Sequence, residues 1–370
     1  MKKTMKAVVA AVFALTSTFA MTSAASASAP SVKNNDRCMK TQYGKSTKTG
    51  TTTFKCRYNT TTKKYVWSKV AAAAKATPVI DLAKLDKTGW PKEFIIGGVP
   101  AENVATMQTK WSGLIKLLET ELGVPVKFYS ATSYAGVIEA SIAAKVDMVA
   151  WGAMSYIVSK LNKAKIDVMG ITEYVDGTKT YTAQLLVPKT SSITGIKDLK
   201  GKTVCFVSAT STSGNLIPLE GILAAGLKMS DMTAKYPGKH DTSVLGLTNG
   251  TGCDASFAAD VTVAALGTGV LAGMNKDDYK VVWTSAGIPN GPWSIRSTLP
   301  ASFKAAVKNI MLTKLNKEYF SSKGYNGCTS VADCVIVEDA KTAKFVSVDD
   351  TYYDVIRKIC ERTKSSICKA

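Results

Sequence analysis

The residues best placed to do chemistry are Ser211, Thr212 and Ser213, with Gly214 directly after them. They follow an apolar run, 203–207, and precede an apolar, helix-like segment, 216–227. A strand that turns through hydroxyls and glycine into a helix builds an anion site. The first N–H groups of a helix have no intrahelical acceptor, and the peptide dipoles place partial positive charge there. Small hydroxyl side chains add neutral donors without keeping a ligand away from the backbone. The chemistry implied is the gripping of an oxyanion.

Other chemistry-bearing residues sit where strands are expected to end. The loops 100–103, 132–134, 151–152 and 238–240, together with Asp260, contribute Glu102, Tyr134, Trp151 and His240. Hydroxyls, aromatics, one histidine and an acid suit a small tetrahedral oxyanion. Rings exclude water and neutral donors fix the oxygens. An acid accepts a proton-bearing ligand oxygen and penalises a ligand without that donor. Each residue also has a plain structural role available: Tyr134 beside a helix cap, Trp151 in a core, the hydroxyl run as a polar turn, His240 on the surface. For Asp260 that role is a helix N-cap, which Asp favours.

Two alternating strand and helix series position these loops. Residues 94–99 read as a buried strand. Residues 102–122 read as an amphipathic helix, with Val104, Met107, Trp111, Leu114, Leu118 and Leu122 at three- and four-residue steps and Gly123 as the stop signal. A strand at 126–129, a helix at 134–144, a strand at 146–150, a helix at 154–161 and a strand at 166–169 follow. The rhythm restarts with strands at 183–188 and 203–207, a helix at 216–227, a helix at 242–248 and a strand at 254–257. A strand from 281–283 is expected to carry the chain back, ahead of helices at 299–315 and 348–361. Strand–helix alternation predicts parallel sheets with helices on both faces. One such lobe inserted in another gives two lobes across a cleft, with the ligand at the carboxyl ends of the strands. The expected bounds are 92–184 plus 285–370 for lobe 1 and 185–284 for lobe 2.

The N-terminal part reads differently. Residues 1–27 have the form of a secretory signal peptide: Lys2, Lys3 and Lys6, an apolar stretch 7–19, and Ala25-Ser26-Ala27 as the cleavage site. The first cysteine is Cys38, so no lipid-attachment cysteine stands near that site. Removing residues 1–27 lowers the net charge from +19 to +16, because three lysines and no acid go with them. Scattered lysines without a basic helix give no nucleic-acid signature, and no later stretch is long and apolar enough for a membrane span. Residues 28–75 form a small Cys-bridged module and linker, rich in Thr and Lys with spaced aromatics. Eight cysteines in an exported chain imply disulfides, and eight allow 105 pairings. The local choices are Cys38 with Cys56, Cys328 with Cys334 and Cys360 with Cys368, which leaves Cys205 with Cys253. No C-x₂-C is present and His240 is the sole histidine, so neither a metal nor another cofactor is expected.

Several motifs together resemble a known family: 133–138 (SYAGVI), 146–152 (VDMVAWG), 196–204 (IKDLKGKTV), 211–214 (STSG), 238–241 (GKHD) and 349–354 (DDTYYD). They look like the phosphonate/phosphite/phosphate-binding proteins of ABC importers, across about 94–361 and in the family's order. The resemblance implies an α/β, type 2 periplasmic-binding-protein fold, with two doubly wound lobes joined by a hinge behind the small disulfide-stapled β module. It also implies a monomer that delivers a small phosphorus oxyanion to an ABC permease in the membrane. Carried over by motif, Tyr134 and Trp151 line the site, Ser211, Thr212 and Ser213 hold phosphoryl oxygens, and His240 donates to another oxygen. An acid, taken as Asp260, completes the set. Three other functions compete. A binding protein for a sulfonate or thiamine-precursor-like molecule shares the fold. A secreted serine phosphoesterase lacks a G-x-S-x-G elbow. An envelope structural protein rests on the basic module alone.

Overall fold

A computed structural model describes residues 31–33, 36–42, 45–59, 64–69, 80–248, 252–337 and 339–368. The expected signal peptide and the alanine-rich linker, 71–76, lie outside the described residues. The chain forms two compact units, Met1–Ala76 and Thr77–Ala370.

The first unit holds three antiparallel strands in sequence order: β1 (Ser46–Thr49), β2 (Thr52–Asn59) and β3 (Lys64–Lys69). Phe54 and Cys56, two residues apart, share a face of β2, and Trp67 pairs opposite Cys56. These three make the buried cluster. So few buried side chains give a marginal core, which the Cys38–Cys56 bridge supports.

The second unit starts with β4 (Phe94–Gly98), α1 (Val104–Leu122), β5 (Val126–Tyr129), α2 (Tyr134–Ile142), β6 (Met148–Ala150), α3 (Ala153–Leu161) and β7 (Ile166–Tyr174). A two-residue strand, β8 (Thr180–Tyr181), leads into β9 (Ala183–Pro188), β10 (Thr203–Cys205), α4 (Ile217–Ala224), β11 (Thr233–Lys235), α5 (His240–Leu245), β12 (Ala255–Ala259), α6 (Asp260–Ala264) and β13 (Tyr279–Thr284). The chain returns through β14 (Ile288–Pro289) to β15 (Trp293–Arg296), α7 (Ala301–Lys314), α8 (Lys317–Lys323), β16 (Thr342–Val346) and α9 (Asp354–Thr363). One lobe is built on the sheet β16-β7-β15-β6-β4-β5 and the other on β11-β10-β12-β9-β13.

Neither sheet is wholly parallel, contrary to the expectation from alternation. β4 runs parallel to β5 and β6, and β10 to β11 and β12. β15 is antiparallel to β6 and β7, β16 to β7, and β9 to β12 and β13. The reason lies in the connections: β9 and β15 each follow a crossing between lobes and enter their sheets from the opposite end to the strands already there, and β16, reached from β15 through α7 and α8, keeps the direction of β15. The strand expected to carry the chain back also behaves differently. β13 pairs with β9 at the edge of the second sheet, and β14 makes the return. β14 pairs antiparallel with β8, Ile288 opposite Tyr181 and Pro289 opposite Thr180, which gives a two-stranded hinge.

α1 shows how local sequence places a wall of the cleft. Asn103 caps it, its side chain accepting from the N–H groups of Ala105 and Thr106. Met107, Trp111, Leu114, Leu118 and Leu122 bury one face against the first sheet. Gly123, at φ 73°, ends the helix in the left-handed region. The local choices Cys328–Cys334 and Cys360–Cys368 are present, and so is Cys205–Cys253, the pair those choices leave over.

Candidate functional site

A cavity of about 400 Å³ lies between the lobes, with wall residues from both and from the hinge. The hydroxyl triplet forms one wall. β10 ends at Cys205, and the chain reaches Ser211 in extended conformation, at φ −75° and ψ 136°. From there the backbone makes a wide π-type turn before α4. The Leu216 N–H donates to the Ser211 carbonyl, and the Ile217 N–H to the Thr212 carbonyl. Such turns recur at functional sites because they widen the helix start. The Ser211 hydroxyl caps the turn, accepting from the Gly214 N–H at 3.1 Å. Position 214 must be glycine: an added Cβ would lie 2.3 Å from a methyl of Val207. Ser211, Thr212 and Ser213 are each 1% exposed.

Thr212 also ties the lobes together. Its Oγ1 accepts from the Met154 N–H at the start of α3, at 2.9 Å. A second link joins the same edge: the His240 backbone N–H donates to the Ala101 carbonyl across the cleft, at 2.9 Å. Tyr134, the first residue of α2, lines the cavity and is buried. Burial pushes its phenol pKa far up, and nearby Tyr181 adds to this; a hydrogen bond with Ser211 pulls the other way. The phenol is therefore a neutral group at any ordinary pH.

His240 is buried at the start of α5, and its ring orientation is fixed by the backbone. The Ala259 N–H, at the end of β12, donates to Nδ1 at 3.0 Å. Nδ1 is then an acceptor, so the neutral ring carries its proton on Nε2. Burial holds the imidazole pKa down at about 4, so the ring stays neutral under ordinary conditions. Asp241 does not orient this imidazole; its Oδ1 accepts from the Thr242 N–H.

Trp151 is among the residues lining the cavity, while its indole N–H is used elsewhere, donating to Ser294 Oγ at 2.7 Å. The hinge chain passes so close behind it that a Cβ at Gly291 would come 1.7 Å from the Trp151 carbonyl oxygen. Glu102 lies on the wall in an ion pair, both carboxylate oxygens 2.9 Å from Lys110 Nζ.

Asp260 is the exception among the expected residues, for it is absent from the cavity wall. It begins α6, and its carboxylate is occupied beside the hinge. Oδ2 accepts from the N–H and hydroxyl of Thr182, and Oδ1 from the Val261 N–H. The acid on the wall next to His240 is instead Asp241, 5% exposed.

The sequence reading also passes over Asn290, on the hinge between β14 and β15. It lines the cavity at 3% exposure. Its Nδ2 donates to the Thr172 carbonyl and its own carbonyl accepts from the Tyr353 hydroxyl, so the side chain is held in place. Its Oδ1 is buried and has no hydrogen-bond partner. A buried carbonyl left in that state costs about 1–3 kcal/mol, which a ligand donor would recover. The available signal was the run Pro289-Asn-Gly-Pro292, whose Pro and Gly punctuation marks a chain crossing. Among the described residues lining the cavity, the basic side chains are Lys110, already paired, and His240, neutral. The site therefore offers neutral donors, three acids (Glu102, Asp241 and Asp339) and one waiting acceptor. No group of three or more potential metal ligands occurs among the described residues.

Comparison with known proteins agrees with this architecture. Residues 96–353 match the family model described as ABC transporter, phosphonate, periplasmic substrate-binding protein. The chain is 32% identical over 292 residues to the phosphate-import protein PhnD of Mycolicibacterium smegmatis, spanning 76% of this chain and 89% of that one. A binding protein component of an ABC phosphonate transporter from Pseudomonas aeruginosa superposes with a TM-score of 0.64 at 21% identity, covering 74% of this chain and 87% of that one. PhnD1 from Prochlorococcus marinus, solved in complex with methylphosphonate, gives 0.63 at 20% identity, covering 74% and 99%. At such identities the two structures establish the fold.

Proposed function

The chain belongs to the periplasmic substrate-binding family of ABC phosphonate transporters, and we propose that it captures a phosphonate, phosphite or phosphate-like oxyanion between its lobes and hands it to a membrane permease. It acts as an exported monomer and binds without turnover. The observation that carries this reading is the convergence of neutral donors on one cavity: three buried hydroxyl residues on a π-type turn, and a histidine whose Nδ1 is satisfied so that Nε2–H is left to donate. Neutral donors fixed before the ligand arrives stabilise an oxyanion without a counter-charge to reorganise. The ligand bridges both lobes and stabilises the closed form by binding it more tightly than the open one.

Binding rather than hydrolysis is supported by the His240 contacts. A general-base histidine must present an unprotonated nitrogen to the substrate, and here Nδ1 is taken by a backbone N–H while Nε2 carries the proton. Phosphorus rather than sulfur is supported by Asn290. Its free Oδ1, and Asp241 on the wall of the same cavity, reward a ligand oxygen that carries a proton. A monoprotonated phosphonate has one near neutral pH, and a sulfonate does not.

Calorimetry with phosphate, phosphite, methylphosphonate and methanesulfonate tests the reading. At least one phosphorus oxyanion is expected to bind, with the sulfonate at least tenfold weaker. In Ser211→Ala/Ser213→Ala and His240→Ala, affinity is expected to fall by tenfold or more, since each lost hydrogen bond to a charged group is worth about 1.5–3 kcal/mol. Unchanged affinity in both variants would remove the site assignment, and no binding of any phosphorus oxyanion by folded protein would remove the function.

A further inference from the structure

Building on the phosphorus-oxyanion reading, we infer that the ligand is an organophosphonate with an uncharged, apolar substituent, not inorganic phosphate or phosphite. The first argument is volume. At a water's share of about 30 Å³ per heavy atom, a phosphate of five heavy atoms fills roughly 150 Å³. The cavity holds about 400 Å³. What remains fits a substituent of roughly six to eight further heavy atoms at the same share.

The second argument is the chemistry of the remaining wall. The oxyanion donors come from the π-type turn and from the first residues of α2 and α5. The rest of the lining comes largely from α1 in the first lobe and from α6 with the loop after it in the second. On α1, Met107 and Trp111 lie four residues apart on one face. Trp111 is held between Trp293 and Phe128, with ring centroids 4.8 and 5.5 Å away, so it forms a fixed wall. From the second lobe come Val261, Ala265, Val270 and Leu271. Apolar walls of this kind are the usual lining for the organic part of a small ligand.

The third argument is charge. A substituent bearing an ammonium or carboxylate needs an uncommitted opposite charge. Glu102 and Lys110 are committed to each other, and Asp339, the third acid on the wall, accepts at Oδ1 from the N–H groups of Lys341 and Thr342 and from the Thr342 hydroxyl. Asp241 lies beside His240, with the oxyanion donors, and it already accepts from the Thr242 N–H. An uncharged alkyl or aryl group is what the α1 and α6 walls reward.

Calorimetry on the full-length protein with phosphate, phosphite, methyl-, propyl-, butyl-, phenyl- and 2-aminoethylphosphonate tests the inference. Each buried methylene is worth about fourfold in affinity. Butyl- and phenylphosphonate are expected to bind at least tenfold more tightly than methylphosphonate, and propylphosphonate more tightly than its similarly sized 2-aminoethyl counterpart. In Ala265→Leu, which intrudes on the substituent space, the ratio of phenyl- to methylphosphonate affinity is expected to drop about tenfold. Phosphate or phosphite as the tightest ligand overturns the inference and leaves the proposed function standing. So does a preference for the 2-aminoethyl compound over propyl. No binding by any of the seven, with a folded protein, overturns the proposed function and the inference with it.

Discussion

His240 makes the sharpest prediction at the level of a single side chain. Its Nδ1 is filled by the Ala259 N–H and burial keeps its pKa at about 4, against 6.5 for the ordinary group. The unfolded chain takes up a proton as pH falls through 6.5, while the folded chain refuses it until about 4. This histidine's contribution is thus complete above pH 6.5 and is lost progressively down to about 4. The full loss amounts to about 3 kcal/mol. As the sole histidine, it can be followed by imidazole ¹⁵N NMR without assignment. The folded protein is expected to show a proton on Nε2 and no titration near pH 6.5; a normal titration there would show that the ring is not held this way. Residues of this kind differ in how far sequence exposes them. The hydroxyl triplet was legible because an apolar strand, small donors and Gly214 stand in one short stretch. Asp260 was not. Its role depends on Thr182, 78 residues away, and a helix-starting Asp looks the same whether it faces a ligand or a hinge. Asn290 was hidden likewise, since its fixing partner Thr172 is 118 residues distant.

Among the elements, the π-type turn ahead of α4 has the tightest tolerance. Sequence periodicity gave a helix over 216–227, and the structure divides that region into the turn Thr212–Leu216 and a helix Ile217–Ala224. The turn is not a period-3.6 pattern, so periodicity passes over it. What enforces it is the contact between Gly214 and Val207 together with the Ser211 cap. Gly214→Ala is expected to cost about 1–3 kcal/mol, the usual penalty for overpacking a filled core. It should also weaken ligand binding, because the strain falls on the donor-bearing turn. Urea unfolding and calorimetry on this variant check both effects, and wild-type values would show that the turn is less constrained than described. The longer elements, α1 above all, were readable because six apolar side chains bury against the core between an Asn cap and a left-handed Gly. The hinge strands were not, since two residues carry no period at all.

On the scale of the whole molecule, two passages of chain join the lobes, and the cavity opens on both of them. Interlobe bonds already close one edge, from Met154 to Thr212 and from His240 to Ala101. On the far side, α9 meets α4 through the Arg362–Glu220 ion pair. A ligand that binds only this closed form is expected to raise the unfolding free energy by about 2.7 kcal/mol at a hundred times its Kd. It should also shrink the radius of gyration measured by solution scattering. Stabilisation without contraction would mean that ligand enters lobes already shut. The mixed strand directions belong to this scale too: they follow from where the chain crosses between lobes, which no local pattern records.

The four disulfides take on another meaning when seen against that motion. They close spans of 18, 48, 6 and 8 residues. Cys205–Cys253 lies wholly within the second lobe, and the other three staple chain neighbours. Among the described residues, no covalent cross-link spans from one lobe to the other. Oxidation therefore splints each lobe from within and leaves the lobe closure proposed above unconstrained, so that capture and release are expected to stay reversible however oxidising the surroundings become.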